Sequence, residues 1–226
     1  MLIAGVDDAG RGSIIGPLVI AGVVLEENDL PKLIALKVRD SKLLSAKRRE
    51  ELSRAIRRLV PKYHVEKLPP AEIDKVVESH IKLQKLNRLE AQTMAKVIET
   101  LKPDKAYVDA SDVIEARYKE HIKERLLYNP EIISEHKADR NYPIVSAASI
   151  IAKVERDDAI AELSHRYGEM GCGYPTDPQT LAFLENWLKK HIDYPDFVRK
   201  SWKPAKRLKG NAGARQKKLN EDWRNR

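Results

Sequence analysis

Two neighbouring carboxylates end the first apolar run of the chain, and a glycine-rich segment follows them directly. These residues are Asp7 and Asp8, followed by Ala9-Gly10-Arg11-Gly12. A carboxylate at the edge of an apolar strand is costly to bury unless a positive group arrives, and Mg²⁺ prefers carboxylate oxygens and water. The glycines let the backbone pass close to a ligand, and Arg11 supplies a cation beside it. This combination indicates phosphodiester chemistry that uses a divalent metal ion.

Two more aspartates stand where predicted strands end. Asp109 closes the run 105–109, and Asp139 lies just after the run 131–136. Carboxylates from the ends of different strands can converge at one point outside a sheet. Four of them would repel one another without metal, whereas two cations about 3.5–4 Å apart would turn the same cluster into a phosphoryl-transfer site. The alternative for any single aspartate is a turn residue that closes a strand.

The apolar pattern alternates between short β-rich runs and helical spacing, and it ends in helices alone. The predicted strands cover residues 2–7, 17–25, 63–68, 105–109 and 131–136. The predicted helices cover residues 46–60, 71–78, 86–101, 112–126, 143–165, 177–190 and 195–202. Ser45 and the Thr176-Asp177-Pro178 segment are typical helix starts. This order predicts an α/β domain with a mixed sheet and a helical C-terminal part.

The size and composition of the chain limit the classes of protein to which it can belong. Its 226 residues, 42% of them hydrophobic, suffice for one sizeable domain with or without a small helical extension. No apolar run approaches the ~18 residues of a membrane span, and the first residues lack the basic leader of a signal peptide. The single cysteine, Cys172, excludes an internal disulfide and a Cys-rich zinc site. We therefore expect a cytoplasmic, monomeric protein without a membrane partner.

The positive charge of the chain is concentrated at its C-terminus. The formal net charge is +8, yet residues 199–226 alone carry 11 Lys/Arg and 2 Asp/Glu. The other residues are therefore close to neutral. A basic tail attracts polyanions without sequence preference, and its alternative role is to keep the protein soluble.

Five motifs resemble those of ribonuclease HII, and they stand in the order of that family across residues 2–202. They are Gly5-Val6-Asp7-Asp8-Ala9-Gly10-Arg11-Gly12 with Gly16-Pro17, Asp40-Ser41-Lys42-Leu43-Leu44, Tyr107-Val108-Asp109-Ala110, His136-Lys137-Ala138-Asp139 with Val145-Ser146-Ala147-Ala148-Ser149-Ile150-Ile151-Ala152-Lys153, and Gly171-Cys172-Gly173-Tyr174-Pro175-Thr176-Asp177. The archaeal branch of the family fits best. The resemblance implies an RNase H-like fold, in which helices flank a mixed central sheet, with a helical C-terminal extension.

The resemblance also implies an activity. Proteins of this family are metal-dependent endoribonucleases that hydrolyse the RNA strand of RNA/DNA hybrids. Cleavage on the 5′ side of a ribonucleotide embedded in duplex DNA is implied as well, with 5′-phosphate and 3′-hydroxyl products. Such an enzyme would act in DNA replication and repair.

Roles follow from the resemblance position by position. One or two Mg²⁺ or Mn²⁺ ions would be held by the catalytic residues Asp7, Asp8, Asp109 and Asp139. The ribose 2′-hydroxyl, which distinguishes RNA from DNA, would be read by Gly10, Arg11 and Gly12, largely through backbone groups. Tyr174 would press on the sugar of the following deoxynucleotide. The candidates for phosphate contacts are Ser41, Lys42, Ser149 and Lys153.

One position departs from the family pattern. The second acidic residue is normally glutamate, and here it is Asp8. Aspartate keeps the charge but loses one methylene of reach, while metal coordination at ~2.0–2.1 Å tolerates little slack. A hybrid-binding protein with weakened catalysis is therefore an alternative, as is another nuclease of the same superfold. Restoring glutamate at this position is expected to retain or raise activity.

The end of the chain contains a possible partner-binding peptide. Gln216, Leu219 and Trp223 resemble the spacing of a sliding-clamp-binding peptide, although Asp222 occupies the first aromatic position of that pattern. A tail that holds DNA without specificity is the rival interpretation. We expect three regions: a catalytic domain over 1–165, a helical region over 166–202 beside the active-site cleft, and a basic, disordered tail over 203–226.

Overall fold

The structure of the protein is a computed structural model that describes residues 1–38, 44–79, 85–211 and 213. The chain divides into two compact units. The first contains Met1–Arg11, Leu18–Leu68 and His80–Arg156, and the second contains Gly12–Pro17, Pro69–Ser79 and Asp157–Arg226. The three regions expected from the sequence stay a prediction of domain organisation.

A five-stranded mixed sheet forms the centre of the first unit. Its strands are β1 (Leu2–Ala9), β2 (Leu18–Glu26), β3 (Lys62–Leu68), β4 (Lys105–Asp109) and β5 (Glu131–Glu135). They lie in the order β3-β2-β1-β4-β5. The β1–β2 and β2–β3 pairs are antiparallel, whereas the β1–β4 and β4–β5 pairs are parallel. The sequence-predicted strands are confirmed with slightly shifted ends, and so is the mixed sheet.

The helices of the two units are α1 (Leu30–Ala35), α2 (Ala46–Leu59), α3 (Pro70–Glu78), α4 (Lys85–Leu101), α5 (Glu115–Lys123), α6 (Ala138–Asn141), α7 (Pro143–Tyr167), α8 (Pro178–Lys190) and α9 (203–211). Two helix starts follow the capping rules. The Ser45 hydroxyl accepts the backbone N–H of Arg48, and the Asp177 carboxylate accepts that of Gln179. None of the described helices is both long and apolar enough to cross a membrane.

Helices cover both faces of the sheet in the first unit. On one face, which we call the α4 face, Met94 of α4 and Tyr118 of α5 belong to the same core as Val108 of β4. On the other, the α7 face, Ile56 of α2 and Ile151 of α7 belong to a second core. Burial of these two layers of apolar side chains is the main favourable contribution to folding of this unit.

The side chains of β1 alternate between the two faces. Ile3 lies in the core of the α7 face, while Ala4 and Val6 lie in the core of the α4 face. Successive side chains of a strand point to opposite faces. Asp7 is therefore directed to the α7 face and Asp8 to the α4 face.

The second unit has its own core. Ile14 and Ile15, in the segment Gly12–Pro17, pack with Leu184 of α8 and Leu208 of α9. The segment before α9 forms an isolated antiparallel bridge between Ile15 and Val198. The carboxylate of Asp74 in α3 accepts the backbone N–H groups of the two residues at 200 and 201.

The sequence-based prediction of a helix over 195–202 is wrong. These residues form turns and the bridge through Val198. The helix begins instead at residue 203, within the region that was expected to be disordered, because Ala205 and Leu208 have an apolar core to join. The short helices α1 and α6 were not predicted, since each is too short to show a helical period.

Gly5 allows an unusually close approach between β1 and the start of α7. A Cβ atom placed on Gly5 would lie 2.3 Å from the carbonyl carbon and oxygen of Ile144. Those atoms belong to the backbone and cannot move aside cheaply. The approach brings α7 against the strand that carries Asp7.

Replacing Gly5 with alanine should therefore destabilise the protein by roughly 2–4 kcal/mol, because the added methyl group overpacks the β1–α7 contact. Urea unfolding followed by circular dichroism measures the change. Gly210→Ala is the matched control, since nothing lies within 4 Å of a Cβ atom at Gly210. Equal effects of the two substitutions would contradict the close approach.

Candidate active site

The central acidic residues lie at the carboxyl ends of β1 and β4. These strands are parallel neighbours, and Val6 pairs with Val108. Asp7 and Asp109 follow directly, so the strand register brings them to the same edge. Asp7 is only 4% exposed, and the negative charge of Asp109 acts on it electrostatically.

The first turn of α6 completes this edge. The backbone N–H of Ala138 donates to the Oδ1 atom of Asp109 at 2.7 Å. Asp139 follows Ala138 in α6 and is 8% exposed. The contact therefore anchors the segment that carries the fourth predicted aspartate to the end of β4.

Two residues of α7 lie against Asp7. The Ser149 hydroxyl hydrogen-bonds with the Asp7 carboxylate, and the Lys153 ammonium interacts with it electrostatically. Lys153 also donates to the hydroxyl of Ser149. Because Ser149 is fully buried, its hydroxyl serves Asp7 and Lys153 in this structure. Phosphate contacts by these two residues stay a prediction.

Burial dominates the electrostatics of Asp7. Burial, followed by the negative charge of Asp109, raises the pKa of Asp7 from 3.8 to about 7. Lys153 and the hydrogen bond from Ser149 oppose this shift only in part. A carboxylate cluster of this kind favours the arrival of a cation, which would stabilise its ionised form.

Asp8 has a different environment from Asp7. Its backbone N–H donates to the Oδ1 atom of Asp7 at 2.7 Å, but its side chain is on the α4 face. There it hydrogen-bonds with Glu90 of α4. Burial, followed by the charges of Glu90 and Asp7, raises the pKa of Asp8 well above its usual value.

Glu90 is the site residue that sequence reasoning missed. It is fully buried in α4 and accepts hydrogen bonds from Arg11 Nε at 2.9 Å and from Ser111 Oγ at 2.6 Å. Arg11 Nη2 also donates to Asn87 Oδ1 at 2.6 Å. Arg11 and Glu90 therefore form an ion pair. The sequence did contain a signal, because Glu90 stands four residues before Met94 on the apolar side of α4.

The tyrosine-bearing turn belongs to the second unit, as does Gly12. The Gly173 carbonyl accepts the backbone N–H groups of Ile14 and Ile15 at 2.8 and 3.1 Å, so the segment after Gly12 lies beside the turn that carries Tyr174. The Gly173 N–H donates to the Thr180 hydroxyl at 2.9 Å. These contacts fix the turn. The proposed role of Tyr174 in substrate recognition stays a prediction.

Several predicted site residues lie outside the part of the chain that the structure describes. They are Ser41, Lys42, Gln216, Leu219 and Trp223. Their roles remain predictions.

The chemistry of the acidic edge fits a hard divalent cation. Asp7, Asp109 and Asp139 offer only carboxylate oxygens, which Mg²⁺ and Mn²⁺ accept. Within residues 1–38, 44–79, 85–211 and 213, however, no three acidic, histidine or cysteine side chains form a ready metal-binding group. The alternation along β1 gives one reason, since Asp8 points away from the α7 face. The types of donor at this edge nevertheless fit a hard divalent cation.

The pKa of Asp7 predicts how stability depends on pH without metal. Between pH 4 and 7 the folded protein holds a proton on Asp7 that the unfolded chain has lost. The free energy of unfolding should therefore fall as the pH rises through this range. Asp7→Asn removes this component. The free energy of unfolding of the variant, relative to that of the parent, should therefore rise by roughly 2–4 kcal/mol between pH 4 and pH 8.

Urea unfolding in EDTA across this pH range measures the difference. Millimolar Mg²⁺ should cancel the gain, because a cation stabilises the ionised carboxylate of the parent protein. Parallel pH profiles for parent and variant in EDTA would contradict the assigned environment of Asp7.

The chain is similar to known proteins along nearly its whole length. The family model described as Ribonuclease HII matches residues 4–205. Relatives named Ribonuclease HII from Thermococcus kodakarensis and Methanocella arvoryzae are 49% and 52% identical over 210 and 204 residues. These alignments cover 92% and 90% of this chain, and 90% and 89% of the two relatives.

Solved structures give the same result. The crystal structure of the ribonuclease H2 from Pyrococcus horikoshii has a TM-score of 0.86 at 43% identity, covering 94% of this chain and 99% of that one. RNase HII from Archaeoglobus fulgidus, solved in a complex with PCNA, has a TM-score of 0.82 at 41% identity, covering 90% and 96%. Bst-RNase HIII in complex with Mn²⁺ has a TM-score of 0.77 at 20% identity over 94% and 70%, which supports the fold alone.

The mixed sheet, its flanking helices and the acidic edge at its centre define an enzyme with an RNase H-like fold. This confirms the fold class that the sequence motifs implied. The chain belongs to the Ribonuclease HII family. It is a ribonuclease H, that is, an endonuclease among the hydrolases.

Proposed function

We propose that this ribonuclease H hydrolyses the RNA strand of RNA/DNA hybrids and also cleaves on the 5′ side of ribonucleotides embedded in duplex DNA. The products would carry a 5′-phosphate and a 3′-hydroxyl. The observation that supports this most strongly is that buried Asp7 and half-buried Asp109 lie together at the carboxyl ends of two parallel neighbouring strands. Such a pair is costly to keep ionised unless a cation and a polyanionic substrate meet there.

One or two Mg²⁺ or Mn²⁺ ions would be held by the carboxylates of Asp7, Asp109 and Asp139. Asp8, the next residue after Asp7, would be the fourth carboxylate of this metal site. A bound divalent ion at such a site supplies an activated water at neutral pH and stabilises charge on the leaving oxygen. The Mn²⁺ complex of Bst-RNase HIII is compatible with this choice of metal. Lys153 and Ser149 of this chain would keep Asp7 oriented toward the ion.

Recognition of RNA would come from the backbone of Gly10, Arg11 and Gly12 together with Tyr174. The 2′-hydroxyl is both a donor and an acceptor, so backbone groups can read it. The φ angle of Gly10 is 84°, a conformation that favours glycine at this position. The turn that carries Tyr174 is held by Thr180 and by the Ile14 and Ile15 N–H groups, as a rigid reading surface requires.

A weakened enzyme that binds hybrids is the second candidate. It is favoured by one observation, the contact between the shortened Asp8 side chain and Glu90 on the α4 face. In that case Asp8 would contribute little to the metal site. The protein would still bind RNA/DNA hybrids but would cleave them slowly or not at all.

A panel of labelled 20-base-pair duplexes tests both candidates. It contains an RNA/DNA hybrid, a DNA duplex with one ribonucleotide, an all-DNA duplex and an all-RNA duplex, each incubated with Mg²⁺ or Mn²⁺. We expect cleavage of the first two only, and a loss of at least about 10³-fold in kcat for Asp7→Asn, since a charged group essential to catalysis is removed. Asp8→Glu should match or exceed the parent.

The outcomes separate the candidates. Cleavage 5′ of the single ribonucleotide, with a ligatable 3′-hydroxyl, supports the proposed activity. Binding without turnover in either metal, restored by Asp8→Glu, would favour the weakened enzyme. Cleavage of the all-DNA duplex would overturn both and indicate a different nuclease of this fold.

We further propose that the C-terminal tail binds a sliding clamp. The spacing of Gln216, Leu219 and Trp223 and the PCNA complex of the Archaeoglobus fulgidus protein support this partner. An apolar Leu/Trp pair suits docking of a short peptide into a hydrophobic groove.

Isothermal titration of the full chain with a purified archaeal sliding clamp tests the partner. Leu219→Ala combined with Trp223→Ala should weaken binding by about tenfold or more, because buried aromatic anchors dominate such interfaces. Lys217→Ala combined with Lys218→Ala is the charge control. If only the control variant loses binding, the tail acts through charge and the peptide interpretation is wrong.

A further inference from the structure

Five residues form a polar group on the α4 face around one fully buried carboxylate, and we call this group the α4 cluster. They are Asp8, Arg11, Asn87, Glu90 and Ser111. Glu90 lies at its centre with a fully buried side chain. A buried carboxylate is strongly destabilising unless charged and hydrogen-bonding partners satisfy it. We therefore expect the side chains that contact Glu90 to be held in one arrangement.

Arg11 is held by α4 through two parts of its guanidinium. Nε donates to Glu90 Oε2 at 2.9 Å, and Nη2 donates to Asn87 Oδ1 at 2.6 Å. Asn87 and Glu90 are three residues apart, so they are neighbours on one side of the helix. Because the guanidinium is a rigid plane, two fixed acceptors determine its orientation. The side chain of Arg11 is nevertheless 38% exposed, so the residue also borders the surface.

The backbone beside Arg11 needs such an anchor. Gly10 has a φ angle of 84°, and Gly12 follows on the other side. Glycine is the most flexible residue, so a segment with glycine on both sides of Arg11 loses much entropy when it is held in one conformation. The contacts of Arg11 with α4, which both lie in the first unit, compensate for this loss of conformational entropy.

We propose that Glu90 is a positioning residue for recognition of the ribose 2′-hydroxyl, acting through Arg11. It draws the guanidinium against α4, and this fixes the direction of the backbone groups of Gly10 and Arg11 that would meet the ribose. Since Glu90 also contacts Asp8, it links the segment 10–12 to the end of β1. This inference rests on the proposed function and adds to it a residue that makes no contact with the substrate.

A binding experiment without turnover isolates this role. The dissociation constants of a DNA duplex with one ribonucleotide and of the same duplex in all-DNA form are measured by fluorescence anisotropy, with Ca²⁺ in place of Mg²⁺. The ratio of the two constants reports discrimination of a single 2′-hydroxyl. For the parent we expect a ratio of about tenfold, as for one hydrogen-bonded group.

Glu90→Ala should bring this ratio close to one while the affinity for all-DNA changes less than about twofold. A merely structural role would weaken both duplexes equally and leave the ratio unchanged. Glu90→Gln keeps an acceptor for Arg11 and should retain most of the discrimination. Asn87→Ala removes only the second anchor and should give an intermediate ratio, which keeps the test decisive if Glu90→Ala folds poorly.

Two comparisons show whether Glu90 acts through Arg11. Arg11→Ala and the double variant Arg11→Ala/Glu90→Ala should have the same ratio of dissociation constants. If Glu90 acts only through Arg11, its substitution has no further effect once Arg11 is removed. Glu155→Ala is the matched control, since Glu155 accepts from Arg57 Nη2 at 2.7 Å in an ion pair elsewhere in the same unit. Its ratio should equal that of the parent.

The outcomes distinguish this inference from the proposed function. If the parent cleaves at the ribonucleotide and discriminates, but Glu90→Ala and Asn87→Ala keep the parent ratio, the inference alone is overturned. If the ratio of the double variant is the product of two separate losses, Glu90 does not act through Arg11. If the parent neither cleaves nor discriminates, both proposals fail together.

Discussion

The alternation of side chains along β1 is the constraint on which the site depends. Ile3 and Asp7 share one face of the sheet, and Ala4 and Asp8 share the other. Two carboxylates that are adjacent in sequence therefore enter different surroundings. Asp7 meets Asp109, Ser149 and Lys153, while Asp8 meets Glu90. One strand thus carries one carboxylate to the acidic edge and the other to the α4 cluster.

The acidic edge is a consequence of topology. Parallel pairing of β1 with β4 brings two strand ends together, and the hydrogen bond from Ala138 to Asp109 adds the first turn of α6. The close approach at Gly5 then sets α7 against the same strand. Without a cation, burial and like charges make this edge a liability for stability, as the raised pKa of Asp7 indicates.

The second unit contains a turn that several hydrogen bonds hold in place. The Gly173 carbonyl accepts two backbone N–H groups from Ile14 and Ile15, and the Thr180 hydroxyl supports the same turn. Buried Arg199 also donates to the Gly16 carbonyl, so the segment Gly12–Pro17 of this unit is held by a residue near the C-terminus as well. Such a network favours one conformation of the residues around Tyr174.

Much of this arrangement could be predicted from the sequence, because strand and helix periods are local. The end of β4 at Asp109 and the caps at Ser45 and Asp177 follow from short patterns. The order of the predicted elements gave an α/β domain with a mixed sheet, and the family motifs identified it as an RNase H-like fold.

The failures have physical reasons. Residues 195–202 look helical but form a bridge to Ile15, a contact between distant parts of the chain that no local pattern encodes. Residues 203–211 look disordered but have a core to join. The role of Glu90 depends on contacts with Arg11 and Ser111, although an acidic residue on the apolar side of α4 was a visible sign. The opposite directions of Asp7 and Asp8 could have been predicted from strand alternation.

The central claim is that Asp7 and Asp109 together bind a divalent cation at the end of β1 and β4. Anomalous diffraction from crystals soaked in Mn²⁺ tests it directly. We predict a peak at about 2.1 Å from a carboxylate oxygen of each aspartate, the distance typical of small hard cations. A protein saturated with Mn²⁺ whose peaks all lie away from both residues would contradict the account.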